Sequence, residues 1–174
     1  MELDQLYKRL KRPAEERLDI LLQYPEQVND RDDLYLERAT LYNQLGKHEK
    51  AFELIMSRRF HPWEGGEGKV TGQYVYSLVS MARKAIDNGA FAEAVRLLEQ
   101  ARSYPENLGE GKLYGAQENE ILYWLGMAHE QLGETGKAQD YWQQASKGLT
   151  QVSSAMFYND QQPDTIYYQG LALR

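Results

Sequence analysis

The chain has 174 residues, a formal charge of −6 and a hydrophobic fraction of 42%. That length suits one compact domain or a short repeat array, and the acidic balance argues against duplex nucleic acid, whose phosphates need a basic stripe. With no cysteine there is no disulfide framework, cysteine zinc site or thiol nucleophile, and neither a membrane-length apolar run nor a secretory leader is seen at Met1-Glu2-Leu3-Asp4 or beyond, which fits a cytoplasmic setting.

Residues 3–11 predict a short, charged terminal helix, and the basic cluster Lys8, Arg9, Lys11 and Arg12 reads as a solvated helix face near the terminus, an anion site being the alternative. Its partner helix starts at Pro13, with Ala14 in the small position and Leu18 and Leu21 apolar, and ends at Tyr24-Pro25. Three segments then align without gaps. The first runs from Leu34 through Tyr42 and Gly46 to Ala51, the second from Ser77 through Ala82 and Gly89 to Ala94, and the third from Leu122 through His129 and Gly133 to Ala138. In each, glycine stands five residues before alanine, and a large apolar residue follows four later: Ile55, Leu98 or Trp142. The second and third add a small residue, Ala101 and Ala145.

The physical logic is a helical hairpin. The glycine takes the left-handed conformation that ends the first helix, the alanine lets the second helix approach closely, and the large residue fills the groove. At Arg38 and Arg58 the first copy departs from the pattern, so either its packing is expected to be looser or its ends to be wet. Residues 164–173 read as one more first helix. Alone, such a helix leaves an apolar stripe uncovered, so the pattern is expected to continue in a longer protein, unless this helix caps the array.

This pattern resembles the tetratricopeptide repeat (TPR), best in the third copy through Leu125-Gly126, Ala138 and Trp142. The resemblance implies an all-α fold, a right-handed α-α superhelix of hairpins. Gly46 and Gly89 are 43 residues apart and Gly89 and Gly133 are 44 apart, against about 34 in the standard unit. The division expected is one domain: a capping hairpin over 1–31, repeats over 32–74, 75–118 and 119–162, and a last helix over 163–174.

The extra length falls in loops. Pro62-Trp63-Glu64-Gly65-Gly66-Glu67-Gly68-Lys69-Val70-Thr71-Gly72 and Pro105-Glu106-Asn107-Leu108-Gly109-Glu110-Gly111-Lys112-Leu113-Tyr114-Gly115 share the core Pro-x-x-x-Gly-Glu-Gly-Lys-apolar-x-Gly. A P-loop needs a different spacing, a Ser or Thr after the lysine and a preceding strand, so no nucleotide site is expected. The structural reading has Gly66, Gly68, Gly109 and Gly111 permitting turns. Glu67 and Glu110 accept backbone N–H groups near the next helix, Lys69 and Lys112 pair locally, and Val70 and Leu113 tuck under the loops. A ligand or partner contact made by one rim of these loops is the alternative. With the third insert, Ser153 to Asp160, the loops resemble the C-terminal TPR tail of large bacterial proteins of largely unknown function that carry an upstream β-sandwich region. In such proteins the tail accompanies domains suspected of carbohydrate handling.

No motif places a catalytic set, and no metal or cofactor is expected. His129 falls on a core-facing position, His48 is expected to be exposed, and His61 with Glu64 and Glu67 lacks the helical spacing of a metal motif. The resemblance implies an inward face lined by the first helices: Leu36, Thr40 and Asn43, then Tyr76, Val79, Arg83 and Ile86, then Glu120, Tyr123, Met127 and Glu130, and finally Tyr167. This mixed lining suits a peptide or protein domain, of the same polypeptide or another, and neither nucleic acid nor membrane. The expectation is a non-catalytic interaction scaffold. The alternative is an accessory domain of a larger carbohydrate-active enzyme.

Overall fold

The computed structural model describes residues 2–152 and 162–174, and the third insert lies outside them. The described residues form ten α-helices and no strand. They fall into two compact units, residues 1–77 with 105–110, and residues 78–104 with 111–174. The first unit holds α1 (Glu2–Arg9), α2 (Ala14–Gln23), α3 (Pro25–Asp30), α4 (Asp32–Gln44), α5 (His48–Met56) and the start of α6 (Lys69–Asp87). A single 3-10 turn, Glu106–Leu108, returns to it. The second holds the rest of α6, then α7 (Phe91–Ala101), α8 (Asn119–Gln131), α9 (Thr135–Ala145) and α10 (Pro163–Ala172).

Four helices end in the same way. Gly46, Gly89 and Gly133 have φ of 70°, 74° and 77°. Each donates its N–H three residues back, to Asn43, Ile86 and Glu130, while the next residue donates five back, to Tyr42, Ala85 and His129. This pair of bonds satisfies carbonyls that the helix end would otherwise orphan. Lys11 does the same after α1 with φ of 53°, bonding Lys8 while Arg12 bonds Tyr7.

The helix after each glycine starts two residues on, at His48, Phe91 and Thr135, and its fourth residue is Ala51, Ala94 or Ala138. All three alanines are fully buried. α2 departs from this. Because it begins at Ala14, its fourth residue is Arg17, and Ala14 is only half-buried. The small position expected at Ala14 is therefore held by a buried guanidinium. The first unit packs Leu18, Leu21, Val28, Leu34, Leu41, Tyr42 and Ala51 into one apolar cluster.

Arg38 and Arg58 both pack on one aromatic ring. Their guanidinium carbons both lie 4.6 Å from the Tyr35 ring centroid, and Tyr35 is buried. Such cation–π stacking uses the arginine plane as packing surface. Arg58 also pairs with Asp32, the first residue of α4. At the matching place in the third repeat, Asn119 opens α8 and donates to the carbonyls of Ala145 and Lys147 at 2.7 and 2.8 Å. In both repeats the start of one helix is thus tied to the end of its neighbour.

Two further features lie outside the sequence reading. Pro25, read as a stop, opens the short helix α3, because proline fits the first helical turn. α6 starts at Lys69, so it spans the boundary expected at 74/75.

Candidate functional site

α1, α4 and α6 turn side chains toward a cavity of about 320 Å³ in the first unit. Asp4, Gln5 and Lys8 come from α1, Leu36, Glu37 and Thr40 from α4, and Gln73 from α6. Trp63, Gly68 and Lys69 supply the rim from the first glycine-rich loop and the start of α6. α2 and α5 contribute no lining residue.

Charge at the cavity wall is largely spent on holding it. Arg17 is only 5% exposed and donates from Nε and Nη2 to both Asp4 oxygens, at 3.0 and 3.1 Å. The same guanidinium bonds Glu37, which also accepts from Lys8 Nζ at 3.2 Å. Buried charges persist only when paired and hydrogen-bonded, and this four-residue network meets that condition. Asp33, also on the wall, is held below the usual carboxylate range by the Arg31 guanidinium, against the opposing effect of burial. Lys69 is exposed and enters no ion pair found among the described residues.

The two glycine-rich loops share a sequence but not a structure. After the first, α6 begins at once and Val70 is buried. After the second, the chain stays irregular until Asn119, and Leu113 is exposed, so the expected tuck occurs only at Val70. Glu67 is exposed, and the backbone capping expected of it is done by Glu110, which accepts the Gly68 N–H at 2.9 Å. Lys112 donates to the Arg102 carbonyl at 3.0 Å and pairs with Glu118. The shared fifth-position glycine is needed in both loops. A Cβ on Gly66 would lie 2.3 Å from the Trp63 indole, and one on Gly109 would lie 2.6 Å from the Phe60 carbonyl oxygen. Gly111 has open space around it.

Of the inward-face candidates, Leu36 and Thr40 line the cavity, Leu36 from a largely buried position. Asn43 is buried and ties helices together, donating to Gln73 Oε1 and Ser77 Oγ at 2.9 Å. Tyr76 is exposed, with the His48 ring edge-on at 5.7 Å. In the second unit Val79 is buried, while Arg83 and Glu130 are exposed and Ile86 and Met127 half-buried. Arg83 lies 4.9 Å from the Trp124 ring. Tyr123 packs between Trp124 and Tyr168, Tyr167 is exposed beside Tyr168, and Glu120 accepts from the Tyr168 hydroxyl at 2.6 Å. Burial first, and then the Glu120 carboxylate, push Tyr168 up to about 12.

His129 is buried, stacks on Tyr141 at 5.2 Å and bonds Glu134. His48, expected to be exposed, is half-buried and bonded to Asn43. His61 is exposed and directs both its N–H and Nδ1 to Asp32. Among the described residues no group of three or more His, Asp or Glu is placed to hold a metal ion, and no helix is long and apolar enough to cross a membrane. Asp4, Glu37, Trp63 and Gln73 were not singled out by sequence pattern. Only Trp63, a lone large aromatic in a glycine-rich loop, carried a visible signal. No family model and no solved structure matches the chain.

Proposed function

We propose that this chain is a non-catalytic interaction module of TPR type that binds a peptide, or a segment of another domain, in the cavity between α1, α4 and α6. One observation carries the reading. The cavity is lined by α1, α4 and α6 and a loop, with no side chain from α2 or α5, the helices that follow α1 and α4 in the chain. That is the division of labour expected of a helical repeat, in which one helix of each pair packs outward and the other presents a surface. The third repeat supports the same reading. A Cβ on Gly126 would lie 2.3 Å from Trp142 Nε1, so a Leu-Gly pair and a later aromatic lock two helices together.

The lining also favours binding over chemistry. Asp4 and Glu37 are both engaged by Arg17, and Lys8 by Glu37, so these groups hold shape and have no free partner to activate. Trp63 offers an apolar face at the rim, while the Gln5 amide and Gln73 Nε2 offer hydrogen bonds to a backbone, Thr40 Oγ1 and Gln73 Oε1 being already engaged by Leu36 and Asn43. A pocket of this size takes one or two side chains of an extended segment.

Panning a phage-displayed random peptide library on the whole chain tests this. Thr40→Trp fills the cavity from its wall. Clones enriched on the natural chain are expected to bind the variant at least about tenfold more weakly, a loss of about 1.4 kcal/mol. Equal capture by both proteins, with unchanged circular dichroism, refutes the reading.

A further inference from the structure

α1 is mounted in reverse. A surface helix ordinarily turns its apolar stripe to the core and its charges to water. Here Asp4 is buried against Arg17 and Lys8 bonds Glu37, so the polar side faces the fold. Leu3, Leu6 and Leu10, spaced three and four residues apart, are 48%, 50% and 60% exposed. The Leu10 N–H bonds the Leu6 carbonyl at 2.9 Å, which keeps Leu10 on the same helical stripe. This apolar face lies opposite Asp4 and Lys8, which line the cavity.

The charges beside the stripe indicate what covers it. Glu2 and Arg9 stand seven residues apart, so they flank the leucines on the same side and one helix length apart. Both are exposed, and neither enters an ion pair found among the described residues. Leu3, Leu6 and Leu10 take the two seam positions of a heptad, and Glu2 and Arg9 the same flanking position. In an antiparallel pair that flanking position faces its own counterpart. Glu2 of each helix then meets Arg9 of the other, twice over and related by a two-fold axis. A parallel pair brings neither residue to an opposite charge.

We propose that α1 forms an antiparallel pair with α1 of a second copy of this chain, closing its leucine stripe and leaving each cavity on the far side of the helix. The contact is small, so the dimer is weak and populated only at high concentration.

Sedimentation equilibrium of the full chain, from about 10 to about 500 μM at low salt, reads this out. A monomer–dimer equilibrium is expected. Leu6→Gln abolishes it, and since Leu6 is half-exposed, the circular dichroism stays the same. Glu2→Arg and Arg9→Glu each replace two attractions with two repulsions and weaken self-association about tenfold. Mixing the two single variants restores it, because one then carries arginine at both positions and the other glutamate. A chain that stays monomeric throughout, a dimer that survives Leu6→Gln, or a mixture no tighter than either variant alone would each overturn the proposal. The first of those outcomes would leave the stripe to a different protein.

Discussion

Lys11 stands where three later helices have glycine, and it adopts the same left-handed backbone at φ of 53°. A residue with a Cβ is strained there by about 1 kcal/mol, whereas glycine is not. Lys11→Gly is therefore expected to stabilise the chain by up to about 1 kcal/mol in urea titrations. The three later caps were legible in the sequence because glycine announces them. This one was not, since its signal is a conformation and not a residue type. Tyr168 makes a second prediction at this scale. Its hydroxyl is pushed up to about 12 by burial and by donating to Glu120, against about 10 in the unfolded chain. A raised pKa means the folded state favours the neutral form. That stability is complete below pH about 10 and is lost as pH rises toward 12. Tyr168→Phe should be less stable at neutral pH and should lose less stability between pH 10 and 12. The ultraviolet titration should also lose its latest tyrosine.

Asp32 works at the level of elements, joining the start of α4 to the chain beyond α5. Burial alone would raise its pKa, but the His61 N–H and Arg58 outweigh that and hold it below the ordinary carboxylate value. Its contribution is present at neutral pH and falls away as the solution is acidified through and below about pH 4. Asp32→Asn should flatten that acid limb in thermal melts measured across pH. The second glycine-rich loop makes a longer tie. Asn107 donates to the Ile55 and Arg58 carbonyls at 3.0 and 2.9 Å, and the Phe60 N–H donates to the Asn107 carbonyl at 2.8 Å. Glu110 takes the Gly68 N–H just before α6, and Leu108 is buried. One short segment thus caps the end of α5 and the start of α6. Asn107→Ala leaves two carbonyls unpaired and is expected to cost about 1–3 kcal/mol. Hydrogen exchange should show faster exchange of the Phe60 amide before any change in α8. The duplication of this loop was plain in the sequence. Its role was not, because the same residues meet different neighbours in the two copies, and Glu67 finds no counterpart to what Glu110 caps.

Across the whole chain, what the sequence disclosed was the rhythm of caps and close-packed alanines, because glycine and alanine are used there for reasons that admit few substitutes. What it hid was polar and positional. Arg17 occupies the place of an alanine, α1 faces the wrong way, and a cavity wall is assembled from charges that look like solvated surface when read in a line. The same rhythm makes a prediction about how stability is distributed. Gly46, Gly89 and Gly133 each close their own hairpin through bonds reaching only three and five residues back. A long tie such as Asn107 to Ile55 spans 52 residues, little more than one period of the pattern. Effects at sites without shared partners add. Each glycine-to-alanine change should cost about 1 kcal/mol, since the Cβ meets open space but the backbone stays left-handed. The triple variant should therefore lose about 3 kcal/mol, measured by urea titration of the helical circular dichroism signal. A triple variant that loses no more than the costliest single change would mean that the hairpins do not hold their own caps, and the repeat reading would fail with it.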